Sequence, residues 1–208
     1  VLEPERWFYG ETSTGSQQPL HLETNGSELY VSVFEQGLQT GESILVVDWN
    51  DIHRLEIKQR IPFESTPDSQ EMMGTFSVSG DGQWLGARVE KIWLNEPPTT
   101  PQPDVYLSLY QHVGNEYQFV STIPYFPYDF SIWNNKAIGL ESQKIHVYDL
   151  ADASHPKQLT FPLANSDKIY KIAASHSYVY YVVPEGMDHK FIALDTAVPS
   201  DVRVVEER

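Results

Sequence analysis

One pattern recurs four times along this 208-residue chain and limits its fold more than any other feature: a set of four short runs of alternating apolar residues, separated by turn residues. Alternation with period two marks strands whose side chains point to opposite faces, and helical periodicity is nearly absent. The first set comprises Leu20-His21-Leu22-Glu23, Leu29-Tyr30-Val31-Ser32-Val33-Phe34, Ile44-Leu45-Val46-Val47-Asp48-Trp49 and Leu55-Glu56-Ile57-Lys58-Gln59-Arg60-Ile61. Asn25-Gly26, the strongest short hairpin signal, separates the first two runs. The second set starts at Gly74-Thr75-Phe76-Ser77-Val78 and ends at Tyr117-Gln118-Phe119-Val120-Ser121-Thr122-Ile123. The third runs from Phe130-Ser131-Ile132-Trp133 to Gln158-Leu159-Thr160-Phe161, and the fourth from Tyr170-Lys171-Ile172-Ala173 to Val202-Arg203-Val204-Val205.

The third run of a set tends to end on an aspartate: Asp48, Asp149 and Asp195, with Tyr110 at that place in the second set. Asp149 and Asp195 lie 46 residues apart, inside the ~40–50 spacing of propeller blades. A stiff, proline-rich insert over residues 95–104 stretches the second set. The expected fold class is therefore all-β, a β-propeller of four-stranded antiparallel blades. Four blades are visible, at about residues 20–63, 74–123, 129–163 and 169–206.

Val147-Tyr148-Asp149-Leu150-Ala151-Asp152-Ala153-Ser154-His155-Pro156-Lys157 resembles the repeat of LVIVD-type propellers and, more loosely, WD-repeat blades. Ser79-Gly80-Asp81-Gly82-Gln83-Trp84-Leu85 resembles the turn between first and second strands in many propellers. No Gly-His dipeptide precedes the blades, and Val47-Asp48, Tyr148-Asp149 and Leu194-Asp195 stand where a WD repeat has Trp-Asp. The resemblance implies a divergent propeller. Four blades are few, so a segment of a larger seven- or eight-bladed propeller that needs further blades or another chain is expected ahead of a complete four-bladed one. Arg6-Trp7-Phe8-Tyr9-Gly10 is then an outer strand of a preceding blade or a closing strand.

Composition narrows the partners. The net charge is −15, with 29 acidic residues against 14 basic ones, the wrong balance for binding phosphate backbones or anionic membrane surfaces. A basic protein partner suits it. No stretch reaches the ~20 apolar residues of a membrane span. The chain has no cysteine, which excludes disulfides, Cys-based zinc sites and thiol nucleophiles. That favours the cytoplasm or nucleus over secretion.

Catalytic patterns are weak. The seven histidines show no metal-ligand spacing, no Gly-x-Ser-x-Gly elbow is present, and no cofactor is implied. The aspartates at matching strand ends read as turn caps, because structure repeats where catalytic function is normally unique to one site. Asp81-Gly82 resembles the opening of a calcium loop without its further ligands.

The most informative stretch is Tyr125-Phe126-Pro127-Tyr128-Asp129, which joins the outer strand of one blade to the inner strand of the next. In a propeller such links share a face with the loops between second and third strands. That face should also hold Trp93, the insert, the loop over residues 35–42, and Met187 with Asp188. Exposed aromatics there are useful anchors. The sequence therefore predicts a non-enzymatic scaffold that binds a protein or peptide through Trp93, Tyr125, Phe126, Tyr128, Asp129, Met187 and Asp188. A metal-dependent propeller hydrolase or lactonase, with Asp129 and Asp167 at inner-strand starts, and a glycan-binding propeller are the alternatives.

Overall fold

In a computed structural model the described residues are 17–26, 28–35, 41–51, 53–63, 66, 68–94, 104–127, 129–133, 135–141, 144–162, 171–175, 178–185, 188–195 and 203–207. They form sixteen strands in four antiparallel sheets. The first sheet holds β1 (Gln17–Asn25), β2 (Glu28–Glu35), β3 (Gly41–Asp48) and β4 (Glu56–Pro62). The second holds β5 (Ser69–Val78), β6 (Trp84–Trp93), β7 (Asp104–Val113) and β8 (Glu116–Pro124). The third holds β9 (Asp129–Trp133), β10 (Lys136–Glu141), β11 (Lys144–Asp149) and β12 (Lys157–Pro162). The fourth holds β13 (Lys171–Ser175), β14 (Tyr178–Glu185), β15 (Asp188–Asp195) and β16 (Arg203–Glu207).

Strands within each sheet follow chain order, and the first strands β1, β5, β9 and β13 lie beside one another in sequence. Four meandering sheets with adjacent first strands are the blades of a β-propeller. Among the described residues the fourth blade does not pack on the first as successive blades pack on each other.

Where both faces of a blade are covered, the central strands are largely apolar. In β3, Ile44 and Val46 face the second blade with Tyr30, while Leu45 and Val47 join Val31 and Val33 on the opposite face. Trp84, Leu107 and Leu109 meet Ala137, Tyr148 and Leu150 of the third blade. Ile138, Ile145 and Val147 meet Val179, Tyr181 and Leu194 of the fourth. Each seam has its own apolar core.

Polar side chains close the seams. An edge strand presents unpaired backbone groups, and leaving one buried without a partner costs ~1–3 kcal/mol. Glu23 of β1 accepts from the Val78 amide (2.7 Å), and Ser77 of β5 accepts from the Ile132 amide (3.2 Å). Glu42 accepts from the Met73 amide. Gln59 of β4 donates to the Tyr117 carbonyl (2.8 Å) and accepts from the Tyr117 amide (2.7 Å), holding both backbone groups of one β8 residue. The Tyr117 hydroxyl donates to the Gly82 carbonyl (2.7 Å) and lies 2.8 Å from the Tyr30 hydroxyl, which donates to Glu28 (2.7 Å). Burial pushes the Tyr117 phenol up to about 12, and Tyr30 rises further for the same reason.

Several local readings change or sharpen. Gly74, which reads as a strand start, is the extra residue of a β-bulge inside β5, between Met73 and Thr75. Glu42 is not loop-borne: it is buried in β3. Asp48 and Asp149 do cap turns, accepting from the amides of Asn50 and Ala151 at 3.0 Å each. The Asn50 amide, with help from Lys58, holds the Asp48 carboxyl below its ordinary range. In the turn after β5, Gly82 takes a left-handed φ of 69° and the Ser79 hydroxyl donates to Asp81 (2.5 Å).

Two stability outcomes follow from the first seam. Gln59→Leu leaves both Tyr117 backbone groups unpaired and should cost about 2–4 kcal/mol in urea unfolding, whereas a surface Gln→Leu change on the same strand should cost little. Glu42 has its carboxyl raised by burial, the Met73 amide opposing. A raised folded pKa gives stability that is full below the unfolded carboxylate value of ~4.3 and is lost as pH rises through the folded value. Glu42→Gln keeps the acceptor and removes the titration. The melting temperature of Glu42→Gln should match the native chain's near pH 4 and exceed it increasingly towards neutrality.

Candidate functional site

The end of β8 stands between two grooves. One, of about 730 Å³, opens between β4 of the first blade and β7–β8 of the second, with Ile61, Tyr106, Tyr110 and Phe119 among its walls. The other, of about 440 Å³, opens between β8 and β11–β12 of the third blade, beside His146, Tyr148 and Gln158. Thr122, Pro124 and Tyr125 border both.

Tyr125 crowns this ridge. Its side chain is 84% exposed, and its backbone is left-handed, with φ of 53°. A bulky residue there is a real outlier, and such strain persists only where the surroundings over-determine it. They do so on both sides. The Tyr125 amide donates to the Val105 carbonyl (2.7 Å), and the next residue, Phe126, is only 2% exposed.

Phe126 is therefore a core residue and not a surface anchor, which corrects the expectation from sequence. Its ring lies 5.5 Å from Phe130 and 5.3 Å from Tyr148, and its carbonyl accepts from the buried Arg88 side chain (3.3 Å). Gly139 has no Cβ to fill the space, which lets Pro127 and Phe126 approach the third blade closely. The link between blades is pinned by Phe126, so the preceding side chain is turned out to solvent.

Trp93 ends β6 and is 42% exposed, between exposed Ile92 and Leu94. Its indole donates to Asp104 (3.3 Å), and the Lys91 ammonium sits 4.8 Å from the ring centre, a cation–π contact. Lys91 reaches Glu71 (3.9 Å), which accepts from the Tyr106 hydroxyl (2.6 Å). Lys91, Glu71, Asp104 and Tyr106 all line the larger groove, which Tyr125 borders, and Trp93 touches it through Lys91 and Asp104. Burial raises the Tyr106 phenol, with Glu71 adding to it, and burial pushes Tyr110 up to about 12. Both phenols stay protonated donors through the physiological range.

Of the other expected residues, Tyr128 and Met187 lie outside the described residues. Asp129 and Asp188 begin β9 and β15, and only their backbone is described. Asp167 also lies outside them. The groove residues missed by sequence reading are Gln59, Glu71, Lys91, Tyr106 and Phe119. Phe119, 59% exposed on an outer strand, broke the expected inward pattern and could have been noticed. Among the described residues no group of three or more His, Asp or Glu could hold a metal ion. His146 pairs with Gln158 (2.9 Å), and His21 packs edge-on against Phe76.

No family model and no curated protein matches the chain. Among solved structures it is similar to a prolyl endopeptidase, with 12% identity, a TM-score of 0.39, and coverage of 99% of this chain and 37% of that one. It is also similar to KlAtg21 in complex with the coiled-coil of AgAtg16, with 11% identity, a TM-score of 0.43, and coverage of 92% of this chain and 70% of that one. The chain thus spans little more than a third of the endopeptidase, and it is the four blades themselves that establish the architecture.

Proposed function

We propose that this chain is a non-enzymatic propeller scaffold that binds a protein or peptide partner along the grooves flanking β8. Tyr125 carries the reading: a largely exposed aromatic, held in a strained backbone conformation, between two concave surfaces. Aromatic anchors beside pockets are where binding energy concentrates. Trp93 supports it as a second exposed aromatic, bonded to Asp104 of the larger groove. The acidic charge of the chain, −15 overall, favours a basic partner and speeds its association.

The face of the fourth blade away from the third supports a second contact. Tyr180 stacks on Phe191 at 5.6 Å, and Tyr178 and Phe191 are each 39% exposed. The equivalent faces of the other three blades are covered by the blade that follows. A further blade or another chain fits that face. Phe191→Asp should abolish any self-association seen by light scattering; unchanged association would exclude the face.

Tyr125→Ala should weaken capture of the partner from cell extract by about 30-fold, equivalent to ~2 kcal/mol, and Trp93→Ala should weaken it less. Tyr125→Gly should bind as poorly yet unfold about 1 kcal/mol later, since glycine tolerates the left-handed backbone. A Tyr125→Gly chain that melts no differently and binds normally would exclude the site.

A further inference from the structure

Among the described residues the outer edge of β8 is open over a short, well-defined length. His112 donates its amide to Gln83, away from β8, and Gln59 holds both backbone groups of Tyr117. The His112–Tyr117 pair is therefore not hydrogen-bonded across the ladder. Bonded and unbonded pairs alternate in antiparallel sheets, so Phe119, two residues on and opposite Tyr110, also turns its backbone outward. From the other end, Tyr125 donates to Val105, so the Tyr106–Pro124 and Ser108–Thr122 pairs are unbonded. Thr122 faces outward too. The bulge at Val120 reconciles the two counts.

We propose that an extended peptide adds to β8 as a fifth strand of the second blade, pairing with Phe119 and Thr122. The proposal rests on the partner-binding reading above and specifies the form of the partner. The contact is continuous with the existing seam, because the Gln59 amide presents a donor and an acceptor side by side, as a neighbouring strand would. Pro124 offers no amide and ends the window. Strand side chains alternate between faces, and each face of this edge opens into a groove. One set of peptide side chains enters the larger groove beside Tyr106 and Phe119, and the other enters the smaller groove beside His146 and Gln158. Main-chain bonds supply affinity and alternate pockets supply selectivity, the logic of strand addition. The favoured peptide has a large apolar residue on the first side and a smaller polar one on the second.

The test uses peptides of about 12 residues, ample for this edge at ~3.3 Å per residue, selected from a random display library on the intact chain. Each selected peptide is then N-methylated one residue at a time. Binding should fall about tenfold at every second position and hold between them, as loss of single backbone hydrogen bonds requires. Thr122→Pro, which removes the outward amide, should weaken binding similarly, and Thr122→Ala should weaken it less. A flat N-methylation profile, indifference to Thr122→Pro in a folded variant, or failure to select any peptide would overturn strand addition. If Thr122→Pro does not fold, the N-methylation profile decides. A flat profile combined with loss of binding in Tyr125→Ala would leave the groove reading standing and remove only the pairing.

Discussion

Every blade in this chain is a small sheet with two open edges, and the rest of the structure depends on how those edges are satisfied. Apolar packing brings the faces of successive blades together, but it is non-directional and sets no register. Hydrogen bonds across the seams do. Glu23 takes the Val78 amide and Ser77 takes the Ile132 amide, so the same edge of two successive first strands is served by the blade before it. Gln59 repeats the device at the outer rim on Tyr117. Each such bond is short-ranged and angular, so a blade that slid by one residue would lose it.

The first seam shows how polar groups survive in such an interface. Tyr30 and Tyr117 bring hydroxyls into an apolar cluster with Ile44, Phe76 and Leu85, where an unpaired hydroxyl would be costly. Their chain runs from Glu28 through both phenols to the Gly82 carbonyl, and Lys58 closes its outer end on Glu28 (3.2 Å) and Asp48 (3.3 Å). The chain links the outer strand of the first blade to a turn in the second. Double-sided satisfaction, as in a buried network with all members bonded, specifies one arrangement over its neighbours.

Much of the fold was legible because strands write themselves into sequence with period two, and turns with Gly, Asn and Asp. Asn25-Gly26, Ser79 to Gly82 and the aspartates at 48 and 149 all behave as their chemistry dictates. What failed was the reading of single residues where two local rules compete. Gly74 looks like a boundary because glycine punctuates strands, but here it is a bulge that lets β5 run on. Glu42 looks solvent-facing because it is charged, yet it is buried with an amide to accept. The site was harder still. Gln59, Lys91 and Phe119 come from three different strands, and only the docking of two blades brings Gln59 to the groove that the other two line.

Tyr125 and Phe126 illustrate why adjacency in sequence was a poor guide to shared role. In a run of aromatics flanked by prolines, nothing local says which ring goes inward. The answer comes from the third blade, where the missing side chain of Gly139 leaves room and Tyr148 and Phe130 supply partners for one ring. Once Phe126 fills that space, the chain must turn sharply out of β8, and the left-handed conformation falls on the residue before it. A glycine would take that conformation without cost. A tyrosine there, almost wholly in solvent, gains too little from burial to offset the strain within the fold itself. The compensation comes from the residues on either side, the Val105 carbonyl that takes the Tyr125 amide and the packed ring of Phe126, and together they leave the tyrosine ring standing between the two grooves.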